Sequence, residues 1–184
     1  MKKIAFLFIT SGLMINAESG MVNAGALDKQ NSLEHIYSEI GYKNVEDAKR
    51  EFEQHFKREL KLPLRVPPLA FTHHFGRFID LDGDMNDSFE ANLISEISPE
   101  NHFKINVRPV NHRIILTDRH VIKVYPLKHQ NEARYLSISS FKVLIFENNN
   151  WQYMFSVDDR VSEIVTPEIL VQIADSIDYS VEQK

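Results

Sequence analysis

The second half of the chain is a series of short segments in which apolar and polar side chains alternate, and this pattern limits the fold more than any other feature of the sequence. In residues 103–108 the alternation is strict, as in a half-buried β-strand. Asparagine tolerates positive φ, so the three asparagines at 148–150 predict a tight hairpin. Together the segments predict an antiparallel sheet. They are approximately residues 71–79, 88–95, 102–108, 113–117, 120–125, 133–139, 141–147 and 151–157.

Helical patterns lie on both sides of these segments. Ser32 can cap a short first helix, and Asn44 can cap a second one whose apolar residues recur at three- and four-residue steps as far as Leu60. Residues 62–68 contain three prolines and predict an extended connector into the sheet. Thr166 can cap a third helix with an apolar stripe. We therefore expect an α+β fold, with N-terminal helices, one antiparallel sheet and a C-terminal helix packed on one face.

The N-terminus has the pattern of an export signal. Lys2 and Lys3 precede an apolar stretch, residues 4–15. This stretch is too short to span a bilayer comfortably, which takes about 20 residues. Small residues that signal peptidase prefers then give two candidate cleavage sites, after Ala24 and after Ala17. Cleavage after Ala24 is preferred.

We accordingly expect residues 1–24 to be a signal peptide and residues 25–184 to be a single α+β domain, secreted or extracytoplasmic and associated with the cell envelope. No stable transmembrane span is expected after processing, and a retained anchor and a cytosolic protein are the alternatives. The sequence contains no cysteine, which excludes thiol catalysis, cysteine-ligated zinc, iron–sulfur clusters and a lipid-modified N-terminal cysteine. An exported domain without disulfides fits many Gram-positive envelopes.

The C-terminal third resembles a known family. Residues 151–157 (WQYMFSV) are followed by residues 166–170 (TPEIL) and 173–177 (IADSI). This series resembles the ending of a Gram-positive cell-envelope domain of unknown function, which occurs in some anti-sigma-factor and sporulation-associated proteins and is distantly similar to lipoprotein-carrier and sigma-regulator folds. The family usually has glycine where this chain has Gln152, and many of its members are lipid- or helix-anchored. The resemblance implies a curved antiparallel sheet packed by helices in the envelope, and it implies no active site.

One acidic loop is a candidate metal site. Its alternating carboxylates could surround a hard cation such as calcium. The calcium-loop pattern requires glycine at the sixth position and glutamate at the twelfth, where this chain has Met85 and Ala91. A polar hairpin loop with an Asp-Gly turn is the alternative interpretation. The candidate ligands are Asp80, Asp82 and Asp84.

Evidence for an enzyme is confined to that loop. A metal-dependent hydrolase could add His73 or His74 to it, but neighbouring residues on a strand point to opposite faces, so the two histidines cannot easily bind one metal together. No His-Glu-x-x-His spacing, nucleophile elbow, phosphate loop or dinucleotide fingerprint is present. We expect a protein that is not an enzyme and has no cofactor other than an optional calcium ion. The alternative is a metal-dependent hydrolase or calcium-binding module using residues 80–87.

Charge is segregated along the chain. The net charge of −5 disfavours nucleic acid as a partner. Residues 80–100 contain seven acidic and no basic side chains, whereas residues 104–142 contain eight basic and two acidic ones. If several of these cations share the exposed sheet face, they could bind an anionic envelope polymer, lipid headgroups or a protein partner; neutralisation between strands is the alternative. We expect a non-enzymatic binding module that uses Arg108, Arg113, Lys123 and Arg134.

Overall fold

The computed structural model describes residues 32–81, 86–117, 120–128 and 132–177, so the predicted signal peptide lies outside the described residues. Within those ranges the chain forms three α-helices and a seven-stranded antiparallel sheet, which confirms the α+β class. The helices are α1 (Leu33–Glu39), α2 (Val45–Phe56) and α3 (Pro167–Ala174). The strands are β1 (His73–Ile79), β2 (Ser88–Ile94), β3 (His102–Pro109), β4 (Val121–Pro126), β5 (Glu132–Ile138), β6 (Phe141–Asn148) and β7 (Trp151–Asp158).

The sheet is made of two antiparallel meanders joined at their inner strands. Its order is β1-β2-β3-β7-β6-β5-β4, so β3 pairs with β7 although three strands separate them along the chain. Asn149 and Asn150 have φ of 49° and 67° and form the predicted hairpin between β6 and β7. One register row crosses every strand described above, and its members lie on the same face of the sheet. From β1 to β4 the row is Arg77, Glu90, Asn106, Met154, Ile145, Arg134 and Val124.

The predicted helix starts are confirmed, but α2 is shorter than its apolar pattern indicates. The side chain of Asn44 accepts a hydrogen bond from the Glu46 N–H at 2.8 Å and caps α2. The helix ends where Lys57 adopts a left-handed conformation (φ 52°). Leu60, which the pattern places on the helix, lies beyond this end, yet its side chain is fully buried in the apolar core. Its N–H donates a hydrogen bond to the Glu53 carboxylate at 2.7 Å.

The core face of the sheet is the side covered by α2 and α3. Phe52 of α2 is fully buried, and its ring centroid lies 4.8 Å from that of Trp151 on β7. Leu170 of α3 belongs to the same apolar core. A Cβ at Gly76 would lie 2.6 Å from the Cα of Val45, so only glycine allows α2 to lie this close to β1.

One of the eight predicted strand segments is not a strand. Residues 113–117 follow a 3-10 turn (Val110–His112) and form no ladder with any described strand. Instead, the Gln152 side chain accepts a hydrogen bond from the Ile114 N–H at 2.8 Å and donates one to the Ile114 carbonyl at 3.1 Å. The side-chain amide thus satisfies both backbone groups, as a neighbouring strand would. The prediction was wrong here because alternation indicates an extended backbone but does not show whether that backbone pairs with another strand.

Candidate binding face of the sheet

The second face of the sheet, opposite α2 and α3, carries the row from Arg77 to Val124. The β1–β3 half of this row is polar, whereas the β5–β7 half of the face contains a small apolar cluster of Leu136, Val143 and Ile145. Leu116, in the segment after β3, packs against this cluster. The second face is therefore an amphipathic surface, and the segment 113–117 lies over its apolar half.

The polar half is organised around Glu90. This residue is only 6% exposed, yet its carboxylate accepts hydrogen bonds from the Tyr42 hydroxyl at 2.7 Å and from Arg77 at 3.0 Å. The ammonium group of Lys104 lies 2.6 Å from the other carboxylate oxygen. Burial by itself would raise the pKa of Glu90, but Lys104, Tyr42 and Arg77 together outweigh it and lower that pKa. The carboxylate is therefore charged and shared between two cations.

A chain of hydrogen bonds extends this network across β2. The Asn92 amide donates to the Tyr42 hydroxyl at 2.7 Å, and its carbonyl oxygen lies 3.1 Å from Nε2 of His102. Because that oxygen can only accept, Nε2 of His102 carries the proton. Burial lowers the pKa of His102, and nearby Lys104 lowers it further, which favours the neutral imidazole. The network is thus directed from His102 towards the carboxylate of Glu90.

Sequence reasoning missed this network. Its strand residues occupy alternate positions of β2 and β3, which on a single strand is the pattern of a solvated face. Glu90, Asn92 and Asn106 are nevertheless buried. Tyr42 comes from the connection between α1 and α2, and nothing in its local sequence indicates contact with a residue 48 positions later.

Arg108 lies on the second face at the edge of the polar half. Its guanidinium donates to the Asn106 side chain at 3.3 Å, and its Nε is buried with no hydrogen-bond partner among the described residues. Burial lowers the pKa of Arg108, and Glu90 opposes this shift. In register, Arg108 pairs with Gln152 of β7, whose side chain binds the backbone of Ile114. Arg108 is therefore close to the segment 113–117.

A cavity of about 500 Å³ lies between this segment and β5–β7. Its volume is in the range of pockets that hold small ligands. Two arginines, two glutamates and several apolar side chains line it, among them Arg113, Arg134, Glu132, Glu147, Ile115, Leu116 and Ile145.

Three of the four predicted binding cations share the second face. Arg113 and Arg134 line the cavity, and Arg108 lies beside Gln152, which also lines it. Lys123 is separate: it pairs in register with the core-face residue Tyr135, and its ammonium group lies 4.5 Å from the ring of Tyr125. Sequence proximity brought Lys123 into the predicted set, but strand alternation directs it to the opposite face.

Part of the basic segment is neutralised by acidic neighbours. Arg113 lies 3.5 Å from Glu147, and Lys142 lies 3.0 Å from Asp159. Lys104 is committed to the buried Glu90. The excess positive charge of residues 104–142 is therefore concentrated at fewer positions than the sequence indicates.

The predicted metal loop is only partly described. Asp80 is exposed at the end of β1, whereas Asp82 and Asp84 lie outside the described residues. The structure does not bring His73 or His74 near Asp80, the described residue at the start of this loop. His73 binds Glu34 at 2.8 Å on α1, and both histidines begin β1, about 20 Å from Asp80 at the usual rise of a strand.

Comparisons with known protein families, curated proteins and solved structures found no match for this chain. The resemblance of the C-terminal third to an envelope family therefore stays a prediction. Among the described residues, no helix has the length and apolarity needed to cross a membrane.

Proposed function

We propose that this chain is an exported, non-enzymatic binding module of the cell envelope, and that it binds an anionic amphiphile in the cavity on the second face. The observation that carries the proposal is one cavity whose lining combines two arginines, Arg113 and Arg134, with apolar side chains. Arginine recognises carboxylate and phosphate groups through paired hydrogen bonds. The predicted signal peptide supports contact with the envelope.

The surroundings of the cavity favour a ligand with both an anionic and an apolar part. Ile115, which lines the cavity, is 83% exposed, and Val124, which pairs with Arg134 on the second face, is 45% exposed. Exposed apolar side chains beside cations are typical of surfaces that contact lipids. A lipid headgroup in the cavity would leave its acyl chains against these residues.

The ion pair beside the cavity does not prevent such binding. Arg113 and Glu147 are 3.5 Å apart, and each side chain is 48% exposed. A surface pair of this kind contributes about 0–1 kcal/mol, so Arg113 can exchange Glu147 for an anionic ligand at little cost.

Vesicle binding tests the proposal. The full chain should bind vesicles that contain phosphatidylglycerol more tightly than phosphatidylcholine vesicles, and salt should remove this difference. A basic residue near an anionic surface contributes about 1 kcal/mol, so loss of both arginines alone would weaken binding roughly 30-fold, and the charge reversal in R113E/R134E should weaken it by at least that factor.

The matched control is the double variant R50E/K61E, which makes the same change of charge at exposed positions in and after α2. It should bind like the unmodified chain. All three proteins share residues 1–24, so any contribution of the leader cancels. Equal loss of binding in both double variants, or no loss in R113E/R134E, would remove the proposal.

A further inference from the structure

Three metal-binding side chains meet where α2 crosses the β1–β2 hairpin. His55 lies in the last turn of α2, Asp80 directly follows β1, and Asp87 directly precedes β2. Each offers one ligand atom, and these atoms all lie within 4.8 Å of one another. The three residues come from different elements, so only the packing of α2 on the hairpin brings them together. None of them lines the cavity on the second face.

One carboxylate oxygen of Asp87 lacks a hydrogen bond within the described residues. Its side chain is fully buried, and its Oδ1 accepts a hydrogen bond from the Leu81 N–H at 2.7 Å. Its Oδ2 is buried and accepts no hydrogen bond from the described residues. Nε2 of His55 lies 3.0 Å from this oxygen, within ion-pair distance, but no hydrogen bond joins the two atoms. A buried carboxylate oxygen without a hydrogen bond is rare in folded proteins and calls for an explanation such as a bound ion.

The separation of these two atoms fits a shared cation. Two ligand atoms at about 2.0–2.2 Å from a tetrahedral zinc ion are about 3.3–3.6 Å apart. The 3.0 Å between His55 Nε2 and Asp87 Oδ2 is a few tenths of an ångström shorter, so a small movement of either side chain would admit the ion. Asp80 is exposed at the end of its strand, so its side chain can move inwards to complete the set.

We propose that His55, Asp80 and Asp87 bind one divalent transition-metal ion, with Zn²⁺ as the probe. Imidazole nitrogen is a ligand for such ions, whereas Ca²⁺ is bound by six to eight oxygen atoms. Three protein ligands leave a fourth position for water on the exposed side. This ligand set differs from the calcium site expected from the sequence, with which it shares only Asp80.

The neighbouring groups orient two of the three ligands. The Leu81 N–H fixes the Asp87 carboxylate, and the imidazole of His55 lies 4.6 Å from the ring of Phe56 and 5.1 Å from that of Phe78. Support of this kind around the ligands raises metal affinity. The bound ion would tie the end of α2 to the hairpin and so stabilise the folded chain.

Zinc titration of the chelator-treated full chain tests the site by calorimetry and by thermal unfolding. One equivalent of Zn²⁺ should bind and raise the melting temperature, whereas Ca²⁺ should not compete. The variant D80N changes an exposed side chain and cannot unfold the core, so it is the decisive one. D80N and H55Q should each bind Zn²⁺ at least about tenfold more weakly.

The control is H74Q, which removes an exposed histidine at the other end of β1. It should bind Zn²⁺ like the unmodified chain. The proposal fails if the unmodified chain binds no Zn²⁺ or if Ca²⁺ displaces the bound Zn²⁺. It also fails if D80N and H55Q bind Zn²⁺ as tightly as the unmodified chain, or if H74Q loses as much affinity for Zn²⁺ as these two variants. Vesicle binding by D80N is a separate measurement, so failure here leaves the amphiphile proposal untouched.

Discussion

Replacing Glu90 by glutamine tests whether the buried network on β1–β3 stabilises the sheet. The substitution keeps the shape of the side chain and removes its charge. In the folded chain, the Glu90 carboxylate contacts Lys104 at 2.6 Å, Tyr42 at 2.7 Å and Arg77 at 3.0 Å. An amide in its place has only one oxygen, so it cannot accept from all three groups.

The expected loss follows from the burial of each partner. Breaking a fully buried ion pair by removing one charge costs about 3–5 kcal/mol. Here the side chain of Glu90 is 7% exposed, but those of Lys104 and Arg77 are 34% and 29% exposed. Water therefore screens the two cations in part, and we expect E90Q to lower the free energy of unfolding by about 2–3 kcal/mol.

Urea unfolding followed by circular dichroism at neutral pH measures this difference, provided that the slope with denaturant is unchanged. The matched control is E147Q, which makes the same change at a pair whose side chains are 48% exposed, and whose loss should stay below about 1 kcal/mol. If E90Q loses no more stability than E147Q, the reasoning about the network is refuted.

The pH dependence of stability provides a second test of the same substitution. The pKa of Glu90 is lowered in the folded chain from its ordinary value of 4.5. A carboxylate with a lowered pKa stabilises the fold above its unfolded pKa and loses this contribution as the pH falls through its folded pKa. The difference in stability between the unmodified chain and E90Q should therefore be constant near neutral pH and shrink below pH 4.5.

Two further predictions concern the helix packing and the leader. G76A should lower the free energy of unfolding by about 1–3 kcal/mol, because its methyl group would lie 2.6 Å from the Cα of Val45. A urea midpoint equal to that of the unmodified chain would contradict the described contact of α2 with β1. Intact-mass measurement on protein from the native host should show a chain that begins after Ala24; a full-length chain retained in the cytosol would overturn the predicted export.

The sequence predicted the elements that depend on local chemistry. The capping residue Asn44, the extended connector at residues 62–68 and the asparagine hairpin at 148–150 each act through their own backbone or close neighbours. Alternation predicted the ends of all seven described strands to within about two residues, because the direction of a side chain on a strand is a local property. The export signal is also a local pattern and stays a prediction.

Only the tertiary structure decided which of these elements meet. Gln152 satisfies the backbone of Ile114 across 38 residues, and Tyr42 reaches Glu90 across 48. His55 and Asp87 approach to 3.0 Å because α2 packs on the β1–β2 hairpin. The physical reason is that periodicity fixes the face on which a side chain lies, whereas strand order and helix packing, which depend on contacts between distant residues, fix its neighbours. Candidate sites are made of such neighbours.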